Sequence, residues 1–294
     1  MATSRHWFLL LLITLFTAFS SVSVLAAVTD KPPFYKISYQ GKSAYLLGSI
    51  HVGRDNFYPM APQIEDAFSL AGALVVEADI DNADTAELIR RYGMTAQAQD
   101  SETKQRMDSY CQTRQPICNA LGGYSPWIQA TQLTMLRFDS MGYQAQWGVD
   151  QVLMQKNRDR PLIELESTKF QFRLMASFAP KTQWDMVLEA IDAPDDEMLR
   201  LINAWRLGDE KALDELLAGQ MQSGEDTELI EKILWQRNID MSHKIAQLMA
   251  DQNTPSPLFV VVGAGHVVGD KSIPAKMQAL FQAQIQNCWE KPCR

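Results

Sequence analysis

The chain has 294 residues, of which 46% are hydrophobic, and its formal net charge at pH 7 is -8. This length allows one large domain or two small ones with a substantial apolar core. The negative charge and the lack of a basic patch argue against a nucleic-acid-binding protein. No linker rich in Pro, Gly or Ser divides the sequence, so we expect a single domain after the N-terminal segment.

The first 26 residues have the features of a signal peptide. Arg5 supplies a positive charge, residues 7–19 form an apolar stretch too short for a comfortable membrane span, and Val24–Ala26 resembles a cleavage site. Cleavage there leaves residues 27–294 as one mature domain, periplasmic or secreted, without stable membrane insertion. An uncleaved N-terminal anchor is the alternative.

The four cysteines form two local couples, Cys111 with Cys118 and Cys288 with Cys293. An even number in an exported chain predicts disulfides, and pairing within each couple is the simplest of three connectivities. Neither spacing is the Cys-x-x-Cys of a zinc knuckle or redox motif. We interpret the pairs as staples of a loop and of the C-terminal tail.

The first elements of the mature chain are predicted to be a hairpin, a helix and a strand. Residues 36–51 contain two β-type runs around a Gln-Gly turn, the pattern of a β-hairpin. Residues 63–71 have helical spacing and are followed by glycine, which often ends a helix. Residues 73–80 are an apolar run typical of a buried strand.

The middle of the chain is predicted to be less regular before it becomes helical. Residues 81–123 are polar and irregular, with some helix at 85–92. Ser125-Pro126 is a typical helix start, and that helix is expected to run to about Met141. A further helix is predicted at 148–158.

The second half is predicted to alternate between sheet and helix. A third strand at 162–167 precedes a long region of helical periodicity, residues 168–250. A final strand at 258–263 and a closing helix at 274–281 complete the chain. The predicted fold is therefore an α/β mixed-sheet core with a large helical insert.

Two of the predicted strands end in the same pattern, Gly-x-x-His. Gly48 and His51 follow the hairpin, and Gly263 and His266 follow the last strand. Glycine at a strand end lets a ligand approach the backbone, and ligands bind at the carboxyl ends of strands in open α/β sheets. One such motif is a weak signal, but its repetition favours a shared site at which both glycines contact a bound cofactor.

Carboxylates are expected near the same strand ends. Glu77 is flanked by valine and alanine, so it needs an arginine or backbone partner, or it serves as a metal ligand or catalytic base. Glu164 and Glu166 alternate with Ile163 and Leu165, so both should face one side of their strand. Glu166 lies nearer the strand end and is favoured for the site, with Glu164 as an ion-pair partner or solvent-facing.

Other polar residues lie on a predicted helix. Arg237 and Asn238 would by default form an exposed pair, but a helix can also project an arginine into a cleft. His243 on the same helix is interpreted as structural or surface. Two histidines and two carboxylates suit a divalent first-row metal with open positions, which would lower the pKa of bound water. They could equally act as acid and base without a metal.

Several short motifs resemble the TraB/GumN family, which includes the Tiki proteins, over nearly the whole mature chain. The resemblance is greatest to exported bacterial members. The motifs occur in the family's order and spacing, at Leu46–Gly53, Val75–Asp79, Gly148–Asp150, Leu165–Ser167, Gln236–Asn238 and Val262–His266.

This resemblance implies an α/β fold shared with erythromycin esterases and haem-binding ChaN proteins, with both Gly-x-x-His motifs at one active site. Tiki members are described as metal-dependent proteases that favour manganese or cobalt. Carried over to this sequence, His51, His266 and Glu77 become metal or catalytic candidates. The other catalytic candidates at matching motif positions are Glu166, Arg237 and Asn238.

Two functions follow as hypotheses. The first is a periplasmic metal-dependent hydrolase, a peptidase, acting on a peptide or small-molecule substrate. The alternative is a non-catalytic protein that binds a peptide, haem or metal with the same residues, and a metal-free esterase is a third possibility. Other family members are linked to pheromone shutdown in plasmid transfer, which need not require proteolysis. The sequence indicates no oligomeric state.

Overall fold

The computed structural model describes residues 29–219 and 227–293, so the predicted signal peptide lies outside the described residues. Its centre is a mixed sheet of six strands, which confirms the predicted α/β class. The strands are β1 Phe34–Tyr39, β2 Lys42–Ser49, β3 Ala73–Val76, β4 Leu162–Glu164, β5 Leu258–Gly263 and β6 Gln284–Asn287.

The strand order places the two Gly-x-x-His strands next to each other. The order is β4-β3-β5-β2-β1-β6, with β2, β5, β3 and β4 parallel and β1 antiparallel to both β2 and β6. In the β2–β5 register, Gly48 pairs with Val262 and Ser49 with Gly263. Because neighbouring parallel strands end at the same edge of a sheet, both motifs emerge side by side.

Alternation along the two central strands supplies core residues to both faces of the sheet. Leu47, Phe259 and Val261 belong to one buried cluster, and Leu46 and Val260 belong to another on the opposite face. A shift of one residue in the register would move each of these side chains to the opposite face, where it would have to pack against the other cluster.

Helices cover both faces and fill the chain between β4 and β5. The described part of region 168–250 is helical apart from short connections, and a π-helical turn at Glu231–Trp235 directly precedes α12. The helices are α1 Pro62–Leu70, α2 Thr85–Tyr92, α3 Ser101–Cys111, α4 Gln115–Leu121, α5 Pro126–Ser140, α6 Val149–Lys156, α7 Thr168–Ala176, α8 Pro180–Asp192, α9 Asp195–Leu207, α10 Glu210–Gly219, α11 Thr227–Ile230, α12 Gln236–Ala250 and α13 Ile273–Phe281.

Residues 81–123 are more regular than the sequence predicted, because they contain α3 and α4 besides α2. Helix α3 is mostly polar, so it lacks the apolar stripe by which a helix is recognised in a sequence. Its start is stabilised by Asp100, whose carboxylate accepts a hydrogen bond from the Thr103 amide at 2.7 Å. The start of α3 is therefore stabilised by a local cap, which leaves no apolar pattern in the sequence.

Two strands are shorter than predicted and one was missed. β3 ends at Val76 and β4 at Glu164, so Glu77 and Glu166 lie just past the strand ends, joined by a 2.7 Å bond from the Glu166 amide to the Glu77 carbonyl. The missed strand, β6, pairs with β1 at the edge of the sheet. Its sequence is mostly polar, so it shows no apolar alternation.

Both predicted disulfide pairs are confirmed. Cys111–Cys118 connects α3 to α4, and Cys288–Cys293 closes the tail that follows β6. Two disulfides fit a protein that folds in an oxidising compartment. Within the two described ranges, every helix is too short or too polar to cross a bilayer.

Candidate functional site

The two Gly-x-x-His motifs and Glu77 meet around Gly263. A methyl group placed on Gly263 would lie 3.3 Å from Glu77 Oε1, 3.7 Å from His51 Nε2 and 3.8 Å from His266 Cδ2. We call the space over the Gly263 α-carbon, bounded by these three side chains, the Gly263 cradle. It lies at the carboxyl ends of β2, β3 and β5, where an open α/β sheet binds ligands.

Asp150 orients the His51 ring. Its Oδ2 atom is 3.1 Å from His51 Nδ1, and a carboxylate can only accept, so Nδ1 carries the proton and Nε2 faces the cradle. The chain just after β2 packs closely against the start of α6, where the Val149 amide donates to the Ile50 carbonyl at 2.9 Å. A side chain at Gly148 would lie 2.7 Å from the His51 carbonyl oxygen.

The negative charge on Asp150 also favours the protonated form of His51. The carboxylate raises the pKa of His51 to about 9, and the partial removal of the ring from water opposes this change. The side chain is nevertheless 61% exposed to solvent. In the protein without a bound cation, His51 is therefore an accessible imidazolium at neutral pH.

His266 has the opposite environment. Its side chain is 4% exposed, and Nδ1 lies 2.5 Å from Asn238 Oδ1. The Asn238 amide nitrogen donates to the Lys271 carbonyl, so Oδ1 is the acceptor and Nδ1 of His266 is the donor. Burial, together with the charges of Arg237 and His51, lowers the pKa of His266 to about 4 although Glu77 opposes this change. The ring is neutral at pH 7.

Glu77 is held as a buried carboxylate between these groups. Oε1 accepts from the Gly263 amide at 2.6 Å and lies 3.7 Å from His266 Nε2, while Oε2 accepts from Arg237 Nη2 at 2.6 Å. Burial opposes ionisation, but the surrounding positive charges and the Gly263 amide outweigh it and lower the pKa of Glu77 to about 2. Arg237 and the protonated His51 supply that charge at neutral pH, when His266 is uncharged.

Arg237 joins Glu77 to Glu166 and is not the exposed residue that its helix position first suggested. Its side chain is 10% exposed and binds Glu166 through Nε at 2.9 Å and Nη2 at 2.8 Å. Nη1 donates to the Ile233 carbonyl in the preceding π-helical turn. Gln171 Nε2 completes the cluster, 3.3 Å from Glu77 and 3.2 Å from Glu166.

Two sequence-predicted residues have a different environment. Glu164 is the last residue of β4, and its Oε1 accepts a hydrogen bond from the Asp79 amide at 2.8 Å. Gly48 lies against protein, since a side chain there would meet Ala264 Cα at 3.2 Å. The absence of a side chain at Gly48 therefore lets the backbones of the two motifs pack together.

The sequence assigned no role to two residues of this site. Asp150 belongs to the Gly148–Asp150 motif, which the sequence shows, but its contact with His51 could not be read from the sequence. Gln171 lies on the exposed-looking first turns of α7 and has no sequence signal, because its contact with the two carboxylates depends on how α7 packs.

The donor atoms suit a metal in kind. Both histidines use Nδ1 to bind an oxygen, which leaves Nε2 as the ligating atom, a common arrangement in metal sites. The cradle over Gly263 leaves room beside Glu77 Oε1. Among the described residues, however, no three His, Cys, Asp or Glu side chains already form a group that could hold a metal ion.

Acidification is expected to destabilise the fold through His266. Its pKa is 6.5 in the unfolded chain and about 4 in the folded protein, so the unfolded chain binds more protons within that window and stability falls as pH decreases. The Glu77 contribution is lost at still lower pH, between 4.5 and about 2. Urea denaturation from pH 7 to pH 4 tests this.

The matched comparison uses His266→Gln and His243→Gln. His243 is the exposed histidine of α12, whose ring packs on Phe281 away from the cradle. His266→Gln should flatten the stability profile between pH 6.5 and 4, and His243→Gln should not. An unchanged slope in His266→Gln would mean that His266 is not held neutral by the fold.

The chain is similar to known proteins over most of its length. The sequence profile of the TraB/PrgY/gumN family matches residues 33–280. "Uncharacterized protein YbaP" of Shigella flexneri is 23% identical over 249 residues, covering 81% of this chain and 88% of the relative. The protein of that name from Escherichia coli (strain K12) is 23% identical over 246 residues, covering 80% and 87%. No solved structure matches. The family match spans β1 to β5 and both Gly-x-x-His motifs, and the chain belongs to the TraB/PrgY/gumN family.

Proposed function

We propose that this protein is an exported hydrolase that cleaves a peptide at the Gly263 cradle. The observation that carries the proposal is the pair of histidines beside this space, whose surroundings shift their pKa values to opposite sides of neutrality. Environments that separate two titratable groups in this way are typical of acid–base catalysis. The fold is proposed to be of the erythromycin esterase and ChaN type.

His266 is the proton acceptor in this proposal. It is neutral at pH 7, its tautomer is fixed by Asn238, and its Nε2 lone pair can take a proton from an attacking water. Glu77 Oε1, 3.7 Å from Nε2, would stabilise the imidazolium that results. Arg237 keeps Glu77 ionised for that purpose.

His51 is the proton donor. Held by Asp150, it carries a proton at neutral pH and presents Nε2 to the cradle, where it can protonate the leaving amine. Its exposure lets a substrate reach it from solvent. Activity should therefore require neutral His266 and charged His51, which gives a bell-shaped pH profile with limbs near 4 and near 9.

A divalent metal, manganese or cobalt by family resemblance, would be held by His51, His266 and Glu77. When bound, it would lower the pKa of water and polarise a carbonyl. It would displace the His51 proton, because only a neutral imidazole binds a metal. With both Nε2 atoms as ligands, neither histidine would act as acid or base, so the metal is an alternative to the acid–base scheme. Elemental analysis of the purified protein, before and after addition of manganese or cobalt, tests this independently of activity.

The test of function is a peptide-library digest with the wild type, His51→Ala, His266→Ala and His243→Ala. Each site variant should lose at least about 100-fold in rate, the usual contribution of one acid or base, whereas His243→Ala should match the wild type. Circular dichroism checks that each variant is folded. Full activity in both site variants would refute the proposal. Tight peptide binding without turnover would instead favour a binding protein.

A further inference from the structure

A pocket lies in the helical part of the protein. The helices α5, α7, α8 and α9 line an open pocket of about 360 Å³, a size that accommodates a small ligand or a large side chain. Four methionines converge on it. The apolar lining includes Met135, Met175, Met186, Met198, Trp127 and Leu201.

The charged residues in the lining already have partners. Arg137 donates to the Ala190 carbonyl at 3.0 Å and binds Asp195 at 2.5 Å. Glu189 also has an interaction partner. A charged occupant would therefore lose its hydration without gaining an ion pair, and an apolar group would not. Methionine side chains are flexible, so such a pocket can adapt to apolar groups of different shapes.

Helix α7 connects this pocket to the candidate active site. Gln171 contacts Glu77 and Glu166, and Met175, four residues later, lines the pocket. Positions four apart lie on the same helix face, about one turn from each other. The neighbouring Phe172 packs edge-to-face on Trp127, another pocket residue, with ring centroids 5.3 Å apart.

We infer that this pocket is a specificity subsite that takes an apolar side chain of the peptide whose backbone lies at the Gly263 cradle. The inference rests on the proposed function, since the peptide is its substrate. The one-turn separation along α7 suits neighbouring residues of a single bound peptide. Leucine, methionine and phenylalanine are accepted at this subsite, and aspartate is rejected.

The test measures peptide binding in the His51→Ala/His266→Ala background, so that no cleavage occurs. The probes are end-blocked peptides that differ at one position, leucine, phenylalanine or aspartate, and the position is scanned along the peptide. At one position, the apolar peptides should bind at least about tenfold more tightly than the aspartate peptide. Adding Met175→Trp, which fills the pocket, should abolish that difference.

Met94→Trp is the matched control, because Met94 is 48% exposed and does not line the pocket. It should keep the full preference. No apolar preference at any position, or an equal preference after the pocket is filled, would overturn the inference. If Met175→Trp abolishes the apolar preference but the wild type cleaves no peptide, the subsite is upheld and the proposed hydrolase activity is refuted. If the wild type cleaves peptides but shows no apolar preference, the hydrolase activity is upheld and the subsite is refuted.

Discussion

Replacing Arg237 by leucine is expected to lower the free energy of unfolding by about 3–5 kcal/mol, the usual cost of removing one partner from a buried ion pair. Glu77 and Glu166 would remain as buried carboxylates, with side chains 14% and 7% exposed and without their common cation. Urea denaturation followed by circular dichroism measures the loss.

The control for this prediction is Arg90→Leu. Arg90 is 70% exposed and pairs with Glu87 on the surface of α2, so its loss should cost no more than about 1 kcal/mol. The double variant Arg237→Leu/Glu166→Gln should recover part of the stability, because it removes one of the two repelling charges. A loss below about 1 kcal/mol in Arg237→Leu would show that the two carboxylates do not depend on this arginine.

Replacing Gly263 by valine is expected to abolish hydrolysis while leaving the fold intact. Gly263 has φ -51° and ψ 142°, a backbone conformation that a valine can adopt. Even its β-carbon would lie 3.3 Å from Glu77 Oε1 and 3.7 Å from His51 Nε2, and the γ-methyl groups would occupy the space meant for substrate. We expect a rate loss of more than about 1000-fold in the peptide-library digest, beyond that of a single histidine variant.

Gly123→Val is the matched control, because a β-carbon there meets no atom within 4 Å. It should have wild-type activity, and Gly263→Ala should lie between the two. A fully active Gly263→Val would place the chemistry somewhere other than the cradle. A variant that fails to fold is recognised by its circular dichroism, and Gly263→Ala then carries the test.

Local sequence patterns predicted the central strands because burial on both faces produces uninterrupted apolar runs. This is why residues 258–263 were located to the residue and why β2 and β3 were found with errors only at their ends. The same patterns missed β6 and α3, whose residues are mostly polar. Edge pairing and helix capping stabilise those elements, and neither leaves an apolar period in the sequence.

The sequence by itself determined the α/β class and the repeated Gly-x-x-His motif, and it favoured the two local disulfide pairs, since each depends on residues close together in the chain. Only the tertiary structure decided that β2 and β5 are neighbours, that Asp150 and Asn238 fix the two histidines, and that Arg237 is buried between Glu77 and Glu166. Those relations join residues 28 to 214 positions apart. Strand order and helix packing create them, and local periodicity contains no information about either.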